Sequence, residues 1–392
     1  RGQLSIVKLL LRKGARINVK KSYGETALHR AIAKKQTDVA KYLIHKGADI
    51  SLKTRRGATP LLAACYHCNV PVARLLIKKG ANCSVKYGFV RRQQWSALIL
   101  AAHCKNLWLI KTLVKKGLDI NYTMARGSSL MVAAAKGNKA IVKYLMRKGA
   151  HINKATGYGH TALTFALQRK QIKLARYLLS KGANPNVMLG NGYSALMMAV
   201  KTGNISLVKL MIAKGADIHL EDKKKKKFFE LLGQTCRQGN AAILKYLVKK
   251  YKKPINYSKL LLDASMKRNN IDVMKFLIAN GADVNFSHLK GLTPLYLACG
   301  RGRYKTVKFL LKEGAKIPLN QKLRDELMER ALTIGSLKLV KFFVSHGINL
   351  PKNKKSKLSA FVYAIKNNDL QLMQYLVAKG YSINIKDETG NA

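Results

Sequence analysis

TALHRAIAKKQTDVAKYLIHKGADI, residues 26–50, holds two short apolar-periodic stretches, a polar turn between them and a Gly just past the second. The pattern predicts a helix-turn-helix unit, with Thr26 capping the first helix and Gly47 closing the second. It returns as TPLLAACYHCNVPVARLLIKKGANC (59–83) and TPLYLACGRGRYKTVKFLLKEGAKI (293–317). The closing Gly recurs at Gly14, Gly47, Gly80, Gly117, Gly149, Gly182, Gly215, Gly281, Gly314, Gly347 and Gly380, mostly 32 or 33 residues apart, so one repeat fills the chain. In the first helix a large residue (Leu28, Leu61, Leu98, Leu130, Leu163, Leu196) is followed three positions later by a small one (Ala31, Ala64, Ala101, Ala133, Ala166, Ala199). Residues at i and i+3 share a helix face, so the small side chain lets neighbouring helices approach while the large one fills the core. A repeat this short cannot bury its apolar face alone and must stack.

These residues resemble the ankyrin repeat. That family's T-P-L-H-x-A signature stands here as TALHRA, TPLLAA, SALILA, SSLMVA, TALTFA, SALMMA, TPLYLA and SAFVYA. Eleven repeats begin at Thr26, Thr59, Ser96, Ser128, Thr161, Ser194, Glu230, Leu260, Thr293, Glu326 and Ser359. The resemblance implies an all-α, ankyrin-type solenoid of stacked helix-turn-helix units with projecting hairpin loops. Loop tips and first helices would form its concave face, and His29 would be structural. The repeats from Glu230 and Leu260 lack the Thr and the preceding Gly and are expected to be irregular joints. Residues 1–392 thus read as a single array: a partial repeat (1–22), regular basic repeats (23–222), irregular repeats (223–289), regular repeats (290–384) and the start of a further one (385–392). With no polar capping repeat at either end, the sequence is expected to be part of a longer protein.

Of the 392 residues 74 are Lys or Arg and 18 Asp or Glu, a net charge of +56, while 48% hydrophobic content excludes a disordered polycation. The apolar runs are far shorter than the roughly 20 residues that span a bilayer, so no membrane insertion is expected. Between Ile50 and Ala216 the single acid Asp119 faces 28 Lys or Arg. The six Cys form no obvious paired framework and are expected to be free thiols of an intracellular protein. Cys65, His67 and Cys68, with His103 and Cys104 one repeat on, invite a zinc reading. However, Cys65, Cys236 and Cys299 occupy one core repeat position, held by Ala102 and Ala134 in other repeats, where Cys acts as a small hydrophobe, so no metal is expected. The scattered carboxylates suggest no acid/base couple or triad, so neither an enzyme nor a cofactor is expected.

Cations recur in the middle of the second helix at Lys8, Lys41, Arg74, Lys111, Lys143, Arg176, Lys209, Lys245, Lys275, Lys308 and Lys341. An unopposed ladder of this kind adds self-repulsion that a bound polyanion would relieve. The hairpin tips join cations to aromatic rings: Lys20, Lys21 and Tyr23; Lys53, Arg55 and Arg56; Lys86, Tyr87, Phe89, Arg91 and Arg92; and Arg126. A Lys-rich run follows at Lys223, Lys224 and Lys225. Cations that neutralise phosphate beside rings that stack on unpaired bases suit single-stranded or looped RNA. The expected function is therefore a non-enzymatic scaffold docking on RNA or another polyanion, within a large ribonucleoprotein such as an organellar ribosome. The alternatives are an adaptor that grips an acidic protein partner in the concave face, and the repeat domain of a larger channel or effector protein.

Overall fold

The computed structural model describes residues 3–88, 94–218, 226–251, 254–266, 270–288, 291–318, 320–350, 354–366 and 368–382. The chain clusters into two compact blocks, Arg1–Asp217 and Ile218–Ala392. In the first, helices α1 (Leu4–Arg12), α2 (Ala27–Ala33), α3 (Thr37–His45), α4 (Pro60–Tyr66), α5 (Val70–Lys78), α6 (Ala97–His103), α7 (Leu107–Lys115), α8 (Ser129–Ala135), α9 (Lys139–Arg147), α10 (Ala162–Gln168), α11 (Ile172–Ser180), α12 (Ala195–Lys201) and α13 (Ile205–Ala213) alternate between two rows. The inner row is α2, α4, α6, α8, α10 and α12, each packed on the next; α3 on α5, α7 on α9 and α11 on α13 belong to the outer row. Two-residue strand pairs tie the fingers between repeats: Lys86–Tyr87 with Trp95–Ser96, and Thr123–Met124 with Gly127–Ser128.

Local chemistry fixes each repeat. Thr26, Thr59, Ser96, Ser128, Thr161 and Ser194 cap the inner helices, each hydroxyl accepting a backbone N–H three residues on. His29 closes the first cap: its Nδ1 lies 2.9 Å from the Thr26 hydroxyl and its Nε2 3.1 Å from the carbonyl oxygen of Ala58 in the next finger. The turn to the outer helix needs a left-handed residue, taken by Gly137 and Gly203 but also by Lys35, Cys68, Lys105 and Lys170, with φ between 53° and 57°. In the core, Ala31, Ala64, Ala101, Ala133, Ala166 and Ala199 are at most 3% exposed. Asparagines then link consecutive fingers. Asn121, Asn153 and Asn186 each donate to the closing-Gly carbonyl of the next repeat (Gly149, Gly182 and Gly215) and accept a backbone N–H two residues beyond it.

The second block repeats the scheme with α14 (Lys226–Gln238), α15 (Ala241–Lys250), α16 (Tyr257–Ser265), α17 (Ile271–Ala279), α18 (Pro294–Cys299), α19 (Tyr304–Lys312), α20 (Gln321–Thr333), α21 (Leu337–Ser345), α22 (Lys354–Lys366) and α23 (Leu370–Ala378). Its inner helices α14, α20 and α22 run 13 residues, against seven for those of the first block. Tyr251, standing where the sequence leads one to expect a closing Gly, stacks on the buried Phe228 with ring centroids 3.5 Å apart. Cys65, Cys236 and Cys299 are buried free thiols, as their core position requires, and Cys83 is also free and buried. Burial pushes the Cys65 thiol up to about 12. One expectation is corrected: Cys68 and Cys104 are paired in a disulfide between neighbouring inter-helix turns, with Cα atoms 5.4 Å apart. Their 36-residue separation hides a proximity that only the stacking of repeats creates.

Two outcomes follow. Ala166→Leu, which forces a larger side chain between inner helices, is expected to cost about 1–3 kcal/mol, read as a lowered urea midpoint. Burial lowers the pKa of His29 below its ordinary value, so the unfolded chain takes up a proton that the native state refuses. Its contribution to stability is intact above about pH 6.5 and is lost as pH falls from there through the depressed folded value. The loss of stability between about pH 7 and 5 should be smaller in His29→Gln than in the parent chain, measured by denaturation at each pH.

Candidate functional site

The fingers of the first block are held in register by backbone bonds from tip to tip. The Arg55 N–H donates to the Tyr23 carbonyl at 2.8 Å and the Gly88 N–H to the Arg56 carbonyl at 3.1 Å. Such contact requires bare backbone: a Cβ on Gly24, where φ is +73°, would meet the Arg55 nitrogen at 3.0 Å. Tyr23 itself has φ of 65°, and its side chain stands 68% exposed at the tip. Lys86 reaches sideways, its Nζ 3.8 Å from the centroid of the Tyr122 ring, and the Tyr122 hydroxyl donates to the Gln94 carbonyl.

Between fingers and inner helices runs a groove of about 600 Å³. Tyr23, Arg56, Tyr87, Trp95 and Arg126 line it from the finger side, and Ala33, Ala63, Tyr66 and His67 from the helix side. The Tyr66 and Tyr87 rings meet edge to face at 6.5 Å. Burial holds the Tyr87 phenol at about 12, which keeps it a neutral donor. The acid in the lining, Glu25, is bonded to Arg30 at 3.3 Å. Four residues anticipated from sequence therefore share one groove: Tyr23, Arg56, Tyr87 and Arg126. Lys20, Lys21, Lys53, Arg55 and Lys86 are exposed on the fingers, outside its lining. Phe89, Arg91, Arg92, Lys223, Lys224 and Lys225 lie outside the described residues.

Sequence reasoning missed Tyr66, which is 52% exposed. The signal was available: it ends its inner helix at the position held by Ala33, Ala135 and Gln168 in other repeats, so its bulk has no core to fill. The second omission concerns the ladder of cations. Lys8 lies over the ring of Tyr42, Arg74 over Trp108, Lys143 over Tyr177, Lys245 over Phe276 and Lys341 over Tyr375, at 4.0–5.8 Å from the centroids. In every case the ring belongs to the next outer helix. These five ladder cations, exposed as they are, have an aromatic partner within the chain. Among the described residues the ion pairs are Arg30–Glu25 and Arg237–Asp263, and no helix is long and apolar enough to cross a membrane.

The family model described as ankyrin repeats (three copies) matches residues 1–54, 46–124, 130–222 and 232–321. No curated protein matches the chain. Among solved structures, the human ASB11 ankyrin repeat domain is 24% identical, with a TM-score of 0.48, over 55% of this chain and 95% of that one.

The stacked pair Arg74–Trp108 should show a coupling of about 0.5–1 kcal/mol in a double-mutant cycle of Arg74→Ala and Trp108→Ala followed by urea denaturation. Additive losses would mean that the ladder does not join the repeats.

Proposed function

The chain belongs to the ankyrin-repeat family, whose repeats build protein-interaction scaffolds, and from that premise we propose that the concave groove of the first block docks single-stranded or looped RNA within a larger ribonucleoprotein. One observation carries this reading. The exposed rings of Tyr23 and Tyr66 share a groove with Arg56 and Arg126, and the groove's acid is already bonded to Arg30. Rings exposed to solvent offer stacking platforms to unpaired bases, and guanidinium groups at the rim take the phosphates. Lys20, Lys21, Lys53 and Arg55 carry the positive track beyond the groove along the tips, as a continuous phosphate backbone requires. The mechanism is counterion release by the finger cations, with the tyrosines supplying contacts that tolerate sequence. No reaction is assigned to the groove.

Fluorescence anisotropy with an unstructured RNA and the full chain tests this reading. For roughly five phosphate contacts, affinity should fall about a hundredfold between about 50 and 200 mM salt, linearly in log-log form. Arg56→Glu with Arg126→Glu should weaken binding and flatten that slope, and Tyr66→Ala should cost about 1–3 kcal/mol. If RNA does not bind at physiological salt while an acidic polypeptide does, the groove is an adaptor for an acidic protein and the reading is wrong.

A further inference from the structure

Two inter-helix turns of the first block bring together three donors that the groove does not use. Cys68 occupies the left-handed position of the turn after α4, His103 ends α6, and Cys104 caps it. The ligand atoms of Cys68, His103 and Cys104 all lie within 4.8 Å of one another. Cys68 and His103 are exposed and Cys104 is half-buried. The two cysteines nearest in sequence, Cys65 and Cys68, are not the pair that meets: Cys65 is fully buried in the core and takes no part in the cluster.

Two sulfurs and an imidazole form a donor set for a borderline-soft ion with tetrahedral preference, and no carboxylate joins them among the described residues to favour calcium or magnesium. We propose that the reduced Cys68–Cys104 pair, together with His103, is a three-ligand zinc site whose fourth position is open to water or to a ligand from a partner. The disulfide and the metal are alternative links between the same two turns. A thiol reductant opens the disulfide by exchange: two electrons pass to the Cys68 and Cys104 sulfurs, two protons complete the thiols, and the reductant leaves as its own disulfide. Binding of Zn²⁺ then releases those two protons as the thiols become thiolates. The two negative charges neutralise the ion, so a cation can be held on a surface that is otherwise basic. A chain oxidised at this pair has no sulfur lone pair in thiolate form to offer and excludes the metal.

Cobalt(II) is the probe, titrated anaerobically into the full chain after reduction and removal of the reductant. The expected result is about one ion bound per chain, with sulfur-to-cobalt charge-transfer absorption in the near ultraviolet and visible bands of a tetrahedral site, both displaced by Zn²⁺. Cys68→Ser and Cys104→Ser should each abolish the two-thiolate spectrum. His103→Ala should keep sulfur absorption but weaken binding about tenfold or more, and Cys65→Ser should change nothing. The oxidised parent chain, folded and unaltered in sequence, should bind no cobalt at this site, which gives a control independent of any variant's folding. Absence of thiolate–cobalt absorption in the reduced chain, or a spectrum unchanged in both Cys68→Ser and Cys104→Ser, overturns the proposal.

Discussion

The close approach of neighbouring inner helices governs everything else in the first block. It depends on a methyl group or its equivalent at one position per repeat: Ala31, Ala64, Ala101, Ala133, Ala166 and Ala199, all nearly inaccessible to solvent. Interiors packed at crystal-like density respond to a single added methylene, so this position sets the spacing of the repeats. That spacing sets the distance between fingers, and only at that distance can Arg55 reach the Tyr23 carbonyl and Asn153 the Gly182 carbonyl. The groove is a consequence of the same spacing, since its two sides come from elements that no single repeat contains.

Charge is accommodated by means other than ion pairs. In the outer row Lys and Arg lie over Tyr, Trp and Phe of the following helix, an attraction that needs no acid and leaves the net charge untouched. Finger to finger, the bridging side chains at Asn121, Asn153 and Asn186 are neutral amides, which both donate and accept where a carboxylate could only accept. The fold is thus compatible with almost no Asp or Glu, and the finger cations remain exposed instead of being drawn into internal salt bridges.

Much of this was legible in the sequence because it is periodic. The Thr and Ser caps, the large-then-small pair three residues apart and the closing Gly each repeat in register, and each maps onto a local rule of helix geometry. The core role of Cys65, Cys236 and Cys299 was readable for the same reason, as was the placing of Tyr23, Arg56, Tyr87 and Arg126 at finger tips. What escaped were relations between repeats. The Cys68–Cys104 pair is 36 residues apart, one less than the 37-residue step from Thr59 to Ser96 that the longer finger sets, so it joins non-equivalent positions of neighbouring turns. The ladder cations were read one helix at a time, which hides the ring they meet on the next. Tyr66 sits at a helix-end position whose occupant changes from repeat to repeat, so no in-register pattern marks it.

The stacking of a cation on the ring of the next outer helix has a bearing on how such a chain can lengthen. Several outer helices carry both partners, as with Lys143 and Tyr144 or Arg176 and Tyr177, so a gene duplication that inserts one such period presents a fresh ring to the preceding lysine and a fresh cation to the following ring. A few extra codons in a finger leave the seam intact, as the longer finger between Arg74 and Trp108 shows, but the same insertion inside an outer helix would turn both groups away from their partners. Growth by complete modules is therefore a tolerated route, and the number of repeats can change over evolutionary time while the cation–ring seams on either side of such an insertion are kept.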